Sequence, residues 1–324
     1  MKKLKKKIVC AFGFLCVCLV SVSSIVYINH KNNEGLDSEF VIDISEKNYR
    51  KVYLLDESNM LVPLSIEVSK KEYLVDEIYT VVSNLRDLNV EGFTNVLAED
   101  IKINKIELVD GILNIDFSSE FLTYQKDIEE KIIEALTWSV LEFKEIKGLT
   151  ISVDGVTLKK MPMNGFELPA LLDKNVGINK HNELMNKCEK CDSVVVLYSK
   201  EINGNSYYIP VTRSVEENEE LMLMEAYKKD VSVYSGFSKV EELVNLEKIE
   251  YEDNEMNVLV DESYLIEDNM VSSLVYELLM VNFFYNDIDY MINFLIDGEE
   301  VEVNGYNNSK DIAVSDICFN EIKV

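Results

Sequence analysis

Apolar positions recur along this chain with two periods, and the periods alternate. "KVYLLDESNMLVPLSIEV" (Lys51–Val68) holds two β-rich runs around a polar middle. Ser69 and Glu72 then have capping-box spacing, and Tyr73, Leu74, Ile78, Val81, Val82 and Leu85 follow at helical spacing. "ILNIDFSSEFL" (Ile112–Leu122) returns to alternation. Ile128, Ile132, Leu136, Val140 and Phe143 make a second helical stripe, and "ISVDGVTL" closes the series. Asp110-Gly111, Asp154-Gly155, Asn203-Gly204 and Asp297-Gly298 interrupt strand-like runs and predict tight hairpin turns, because these residues tolerate positive φ. The pattern predicts strand–strand–helix–strand–strand–helix–strand–strand, with helices covering one face of a small mixed or antiparallel sheet. That is an α+β unit.

The unit occurs twice. "EMNVLVDESYL" (Glu255–Leu265) lines up with Ile112–Leu122, and Asp297-Gly298 with Asp154-Gly155, both at a separation of 143 residues. Between them Val271, Leu274, Val275, Leu278 and Val281 repeat the second helical stripe. Upstream, Val194–Val215 parallels Lys51–Val68, with Pro210 answering Pro63 at 147 residues. Ser214 and Glu217 repeat the capping-box spacing before Leu221, Met224 and Tyr227. The apolar frame survives between copies while polar identities change: Asp116 becomes Leu259 and Ser118 becomes Asp261. Such a pattern marks packing positions of a scaffold, so Asp116 reads as a hairpin edge or helix entry before it reads as a catalytic acid.

The N-terminus has another character. Five lysines in "MKKLKKK" precede an apolar run, Ile8–Ile28, whose 21 residues as a helix would span about 31 Å, enough for a bilayer core. Lysines before the run and acids after it orient the N-terminus to the cytoplasm and the body outside. A cleaved signal peptide is the rival, with Ser21–Ser23 as the cleavage site. The expected organisation is an anchor or signal sequence (1–28), a polar spacer (29–49), a first unit (50–160), a linker (161–192), a second unit (193–303) and a tail (304–324). The expected location is a single-pass cell-membrane protein, or a secreted one if cleavage occurs.

Net charge is −27, or −33 once the six lysines of residues 1–31 are set aside. A body this acidic repels phosphate backbones, which excludes nucleic acid as a partner. No phosphate-binding glycine loop, nucleophile elbow or zinc-protease motif occurs, and the two histidines, His30 and His181, lack motif context. No catalytic residue, cofactor or metal is expected. Cys188-Glu-Lys-Cys191 is the sharpest chemical motif. It admits a short disulfide or inert thiols, a redox pair, or half a metal site completed by His181 and Cys318.

The order of these segments resembles the GerMN domain, the sporulation and spore-germination domain. Its loop motif falls on Gly92–Glu99, its hairpin motif on Asp110–Phe121 and its closing motif on Val153–Gly155, with Ala98 in place of the family proline and Asp100 in place of the usual glycine. The resemblance covers the first unit; the second is divergent and lacks the "DFS" triplet. It implies a non-catalytic module similar to ring-building motifs, whose α/β units associate side by side. The expectation is therefore a membrane-tethered envelope protein that assembles with other envelope proteins, with self-association among the outcomes. A cell-wall glycan-binding module and a thiol oxidoreductase using Cys188 and Cys191 are the alternatives.

Overall fold

The computed structural model describes residues 48–180, 191–216, 236–240, 243, 246, 248–252, 255–266, 270–286, 291–306 and 317–322. The apolar run 8–28 and the spacer lie outside them. Among the described residues no helix is long and apolar enough to cross a membrane.

The first copy opens with a hairpin of β1 (Tyr49–Leu55) and β2 (Leu61–Glu67), registered so that Tyr53 faces Pro63. Helix α1 (Leu74–Asp87) follows, then β3 (Ile103–Val109), β4 (Ile112–Phe117), helix α2 (Glu129–Leu141), β5 (Gly148–Val153) and β6 (Val156–Thr157). Strands β3 to β6 form a four-stranded sheet in sequence order. The β4–β5 pair is parallel, with α2 as its crossover, and the flanking pairs are antiparallel. Both helices pack on β1, on each other and on the sheet. A helix held between two layers loses its solvent face, which is why eleven of the thirteen α2 residues are buried.

The second copy repeats this plan. Its long hairpin is β7 (Cys191–Ile202) and β8 (Asn205–Glu216), joined on β7 by the short β9 (Ser238–Lys239). Strands β10 (Lys248–Glu252), β11 (Glu255–Leu259), β12 (Met291–Ile296) and β13 (Glu299–Val301) reproduce the four-stranded sheet, with helix α3 (Ser273–Asn286) as the parallel crossover. Strands β5 and β12 both start and end 143 residues apart. All four expected turns have positive φ at both central residues: 53° and 85° at Asp110-Gly111, 47° and 80° at Asp154-Gly155, 51° and 78° at Asn203-Gly204, 51° and 83° at Asp297-Gly298. That is the turn twist that matches a right-twisted hairpin.

Several expectations fail. Each copy was expected to hold one sheet, but its opening hairpin forms a layer of its own. Neither capping box forms. Helix α1 starts at Leu74 with no side-chain cap, and Tyr73 is left 61% exposed. Ser214 lies inside β8 opposite Ser193, because the cross-strand ladder runs on through the serine and takes its backbone groups. The helical stripe after Ser214 lies outside the described residues. The segment expected to be a linker enters the core: Met161, Leu172 and Ile178 are buried, and Leu172 pairs its backbone with Leu149.

Candidate functional site

The residues singled out for chemistry are scattered. Cys188, His30 and His181 lie outside the described residues, and Cys191 is the first residue of β7. Cys318 is buried as a thiol. Asp116 does local work: its Oδ1 accepts the Gly155 amide at 2.8 Å, tying β4 to the β5–β6 turn. Ser118 Oγ accepts the Lys102 amide at 3.0 Å, and the Ser118 amide donates to the Lys102 carbonyl. The second copy's counterpart of Ser118, Asp261, caps the next short turn by accepting the Ser263 amide. Among the described residues no group of three His, Cys, Asp or Glu comes together.

The densest polar construction lies where the copies meet, and two buried asparagines make it. Asn179 accepts the Leu61 amide (2.8 Å) and donates to the carbonyls of Leu61 (2.7 Å) and Pro210 (2.9 Å). Asn320 accepts the Tyr208 amide (2.8 Å) and donates to the carbonyls of Tyr208 (2.7 Å) and Pro63 (2.8 Å). Each carboxamide imitates a peptide group on one strand and clamps the other copy's proline carbonyl. The prolines suit this edge because they present a carbonyl and no N–H. Both asparagines have left-handed backbones, φ 51° and 52°, which asparagine tolerates better than most residues. Their neighbours match too. Thr212 Oγ1 donates to the Ile178 carbonyl at 2.8 Å, and Ser65 Oγ donates to the Phe319 carbonyl at 2.6 Å.

These pairs are related by constant offsets. Leu61, Pro63 and Ser65 answer Tyr208, Pro210 and Thr212 at 147 residues; Ile178 and Asn179 answer Phe319 and Asn320 at 141. The segment after the first copy therefore lies on β8, and the segment after the second lies on β2. Such reciprocity is the signature of a twofold, isologous interface, here built within one chain.

Other contacts fix the same junction. Lys200 of β7 makes a buried ion pair with Asp56 at 2.5 Å and reaches Ser58 Oγ, while Asp56 Oδ1 accepts the amides of Ser58 and Met60. The hydroxyls of Tyr53 and Tyr285 lie 2.7 Å apart, and burial pushes both far above the ordinary tyrosine range. Burial also lifts the Glu142 carboxyl, against the pull of the Lys51 charge and amide. Trp138, the single tryptophan, is fully buried against Phe284 and Tyr285 of α3. Gly92 approaches the β7–β8 turn so closely that a Cβ there would sit 2.3 Å from Asn203 Nδ2.

Three buried helix glutamates hold the segments that follow their copies. Glu134 Oε2 accepts the Asn179 amide (2.9 Å) and the Lys131 ammonium (2.9 Å). Its counterpart 143 residues on, Glu277, accepts the Tyr306 hydroxyl at 3.1 Å, and burial raises its pKa to about 7. Glu129 gathers the Tyr124 hydroxyl and the amides of Met163, Asn164 and Phe166. Burial pushes its carboxyl up, but these donors outweigh burial and hold it below the ordinary range. Local pattern marks Pro63, Pro210, Gly92 and the Asn203 turn, but none of the clamping asparagines, the buried glutamates or Lys200. The legible signal was a repeated asparagine after an apolar pair, "GIN" and "CFN", in segments read as linker and tail.

The family model described as "Sporulation and spore germination" matches residues 51–159. The spore germination protein GerM of Bacillus subtilis (strain 168) is 28% identical over 190 residues, 58% of this chain and 52% of that protein. The match thus spans about half the length of that curated relative. The solved structure of the tandem GerMN domains of the sporulation protein GerM from Bacillus subtilis superposes with a TM-score of 0.66 at 23% identity, over 81% of this chain and 99% of that one. The likeness in fold extends the sequence match of the first copy across the second. Residues 51–159 thus match the family of sporulation and spore germination domains, and the two successive copies share the fold of tandem GerMN domains.

Proposed function

We propose that this chain is a non-catalytic, membrane-tethered protein of the cell envelope, with its body outside, that assembles with partner proteins through its tandem GerMN domains during sporulation or germination. The observation that carries this reading is the junction. Its polar groups are turned inward and saturate one another across the two copies, so the construction serves to fix one domain against the next. A fixed pair presents its outer sheet faces and helix α1 in constant geometry, which suits a building block. The relative's printed name, a spore germination protein, supports the process. The basic start and the 21-residue apolar run support the tether.

Capture from native membranes with a tagged full-length chain tests the assembly. Recovery of envelope proteins, lost when the second copy is deleted, is the expected result. A chain that captures none, and that sediments as a monomer in detergent, overturns it. N-terminal sequencing of the mature protein tests the tether. An intact Met1 or its immediate successor supports an anchor, and a new N-terminus near Ser23 replaces anchoring with secretion.

A further inference from the structure

The C-terminal arm, Ile317–Ile322, is held by residues remote from it in the chain. The Lys51 ammonium donates to the Ile317 carbonyl at 2.8 Å and the Ser65 hydroxyl to the Phe319 carbonyl at 2.6 Å. The Ser65 amide donates to the Asn320 carbonyl, the Ile322 amide to the Ser65 carbonyl, and the Tyr49 hydroxyl to Glu321. The Asn320 side chain clamps Pro63 and Tyr208. Ser65 and Glu321 are partners in a parallel bridge, so the arm acts as a short extra strand on the outer edge of β2. Every hydrogen bond just named is made to β1, β2 or β8 and none to the arm's own four-stranded sheet.

From this geometry we infer that the arm is exchanged between two molecules of this chain. In the resulting pair each Ile317–Ile322 lies on β2 and β8 of the other molecule, and Asn320 is the recognition residue. A second copy offers the same donors and acceptors in the same register. Closed monomer and exchanged pair therefore contain the same bonds and differ mainly in the entropy of connection. The chain already uses the device internally, since the Ile178–Asn179 segment of the first copy lies on β8 of the second. Departure of the arm would leave the Ser65 amide and carbonyl open on a strand edge, and an open edge seeks another strand. This rests on the assembly reading and names one partner for it, a second copy of this chain.

The test uses the full chain with its native cysteines replaced by serine. Ser65→Cys and Glu321→Cys chains are prepared separately, mixed, held near the unfolding midpoint, returned to native conditions and oxidised. The expected product is a disulfide joining position 65 of one chain to position 321 of the other. At low occupancy its fraction rises about tenfold for a tenfold rise in protein concentration. The Ser65→Cys/Glu321→Cys double variant should close within one chain at low concentration. If it does so while the mixed single variants give no 65–321 linkage at any concentration, the inference is overturned. Sedimentation of the otherwise native chain gives a second readout: a dimer fraction after the same treatment that deletion of residues 317–324 removes. A dimer that survives this deletion also overturns the exchange. Envelope proteins captured from membranes in the absence of arm-linked pairs would remove the exchange alone and leave the assembly reading standing.

Discussion

The two copies solve one problem with different groups, and Glu134 and Glu277 show how. Both stand at the same place on the crossover helix, both are buried, and both hold the segment that leaves their copy. In the first copy the charge is matched by Lys131 and by the Asn179 amide. In the second the position corresponding to Lys131 is Leu274, and Glu277 has the Tyr306 hydroxyl. The same backbone site is thus an ion pair in one half and a carboxyl pushed toward neutrality in the other. The asparagine clamps teach the opposite lesson, for they stay alike in bonds, backbone and residue type. What must agree across an isologous junction is the part each copy shows the other. What lies within one copy is free to drift.

Breaking the junction should have the largest effect. Lys200→Met leaves Asp56 buried without its cation and should cost about 3–5 kcal/mol. The check is urea unfolding followed by Trp138 fluorescence, which reports the first copy and its contact with α3, alongside circular dichroism, which reports both. Next come Asn179→Ala and Asn320→Ala. Each leaves three buried backbone groups unpaired and puts alanine in a left-handed conformation, a loss of roughly 3–4 kcal/mol. The symmetry predicts costs that agree within about 1 kcal/mol, and unequal unfolding midpoints would show that one clamp dominates.

The glutamates sharpen the contrast through pH. The folded pKa of Glu277 is raised, so its contribution is fully present below its unfolded value and is lost as pH rises through about 7. Glu277→Gln should leave stability unchanged near pH 4, gain about 2–3 kcal/mol at pH 8, and flatten the fall between. Glu134→Gln should instead lose stability at pH 7, because Lys131 keeps its charge and loses its partner. Melting temperatures between pH 4 and 8 separate the two. Asp116→Ala is the smallest change. It removes the carboxylate from the Gly155 amide at a sheet edge, costs about 1 kcal/mol, and should leave partner capture intact.

Local pattern carried most of the secondary structure. Ile132, Leu136 and Val140 are buried within α2, and Val275, Leu278 and Val281 within α3, because helical period survives any packing partner, whereas Ile128, Phe143 and Val271 of the expected stripes fall outside the helices, Val271 in bridges to Leu265 and Val303. Dipeptides of Asp-Gly or Asn-Gly set their turns through backbone sterics alone. Capping boxes were misread for the complementary reason: a serine that can cap a helix can equally continue a strand, and the ladder available to Ser214 decided the matter. The junction was the least legible part. Asn179 and Asn320 sit in short segments with no period, and their partners lie 118 and 112 residues away.

The chain by itself determined the duplication, the order of strands and helices, the hairpin turns and the acidic surface, since each depends on neighbours within a few residues or on a count. Tertiary structure alone decided that the opening hairpins form their own layers, that the linker and tail are reciprocal arms, and that Asp56 finds Lys200. Those outcomes depend on which free backbone edge and which buried charge meet across the fold, and no local period records that meeting.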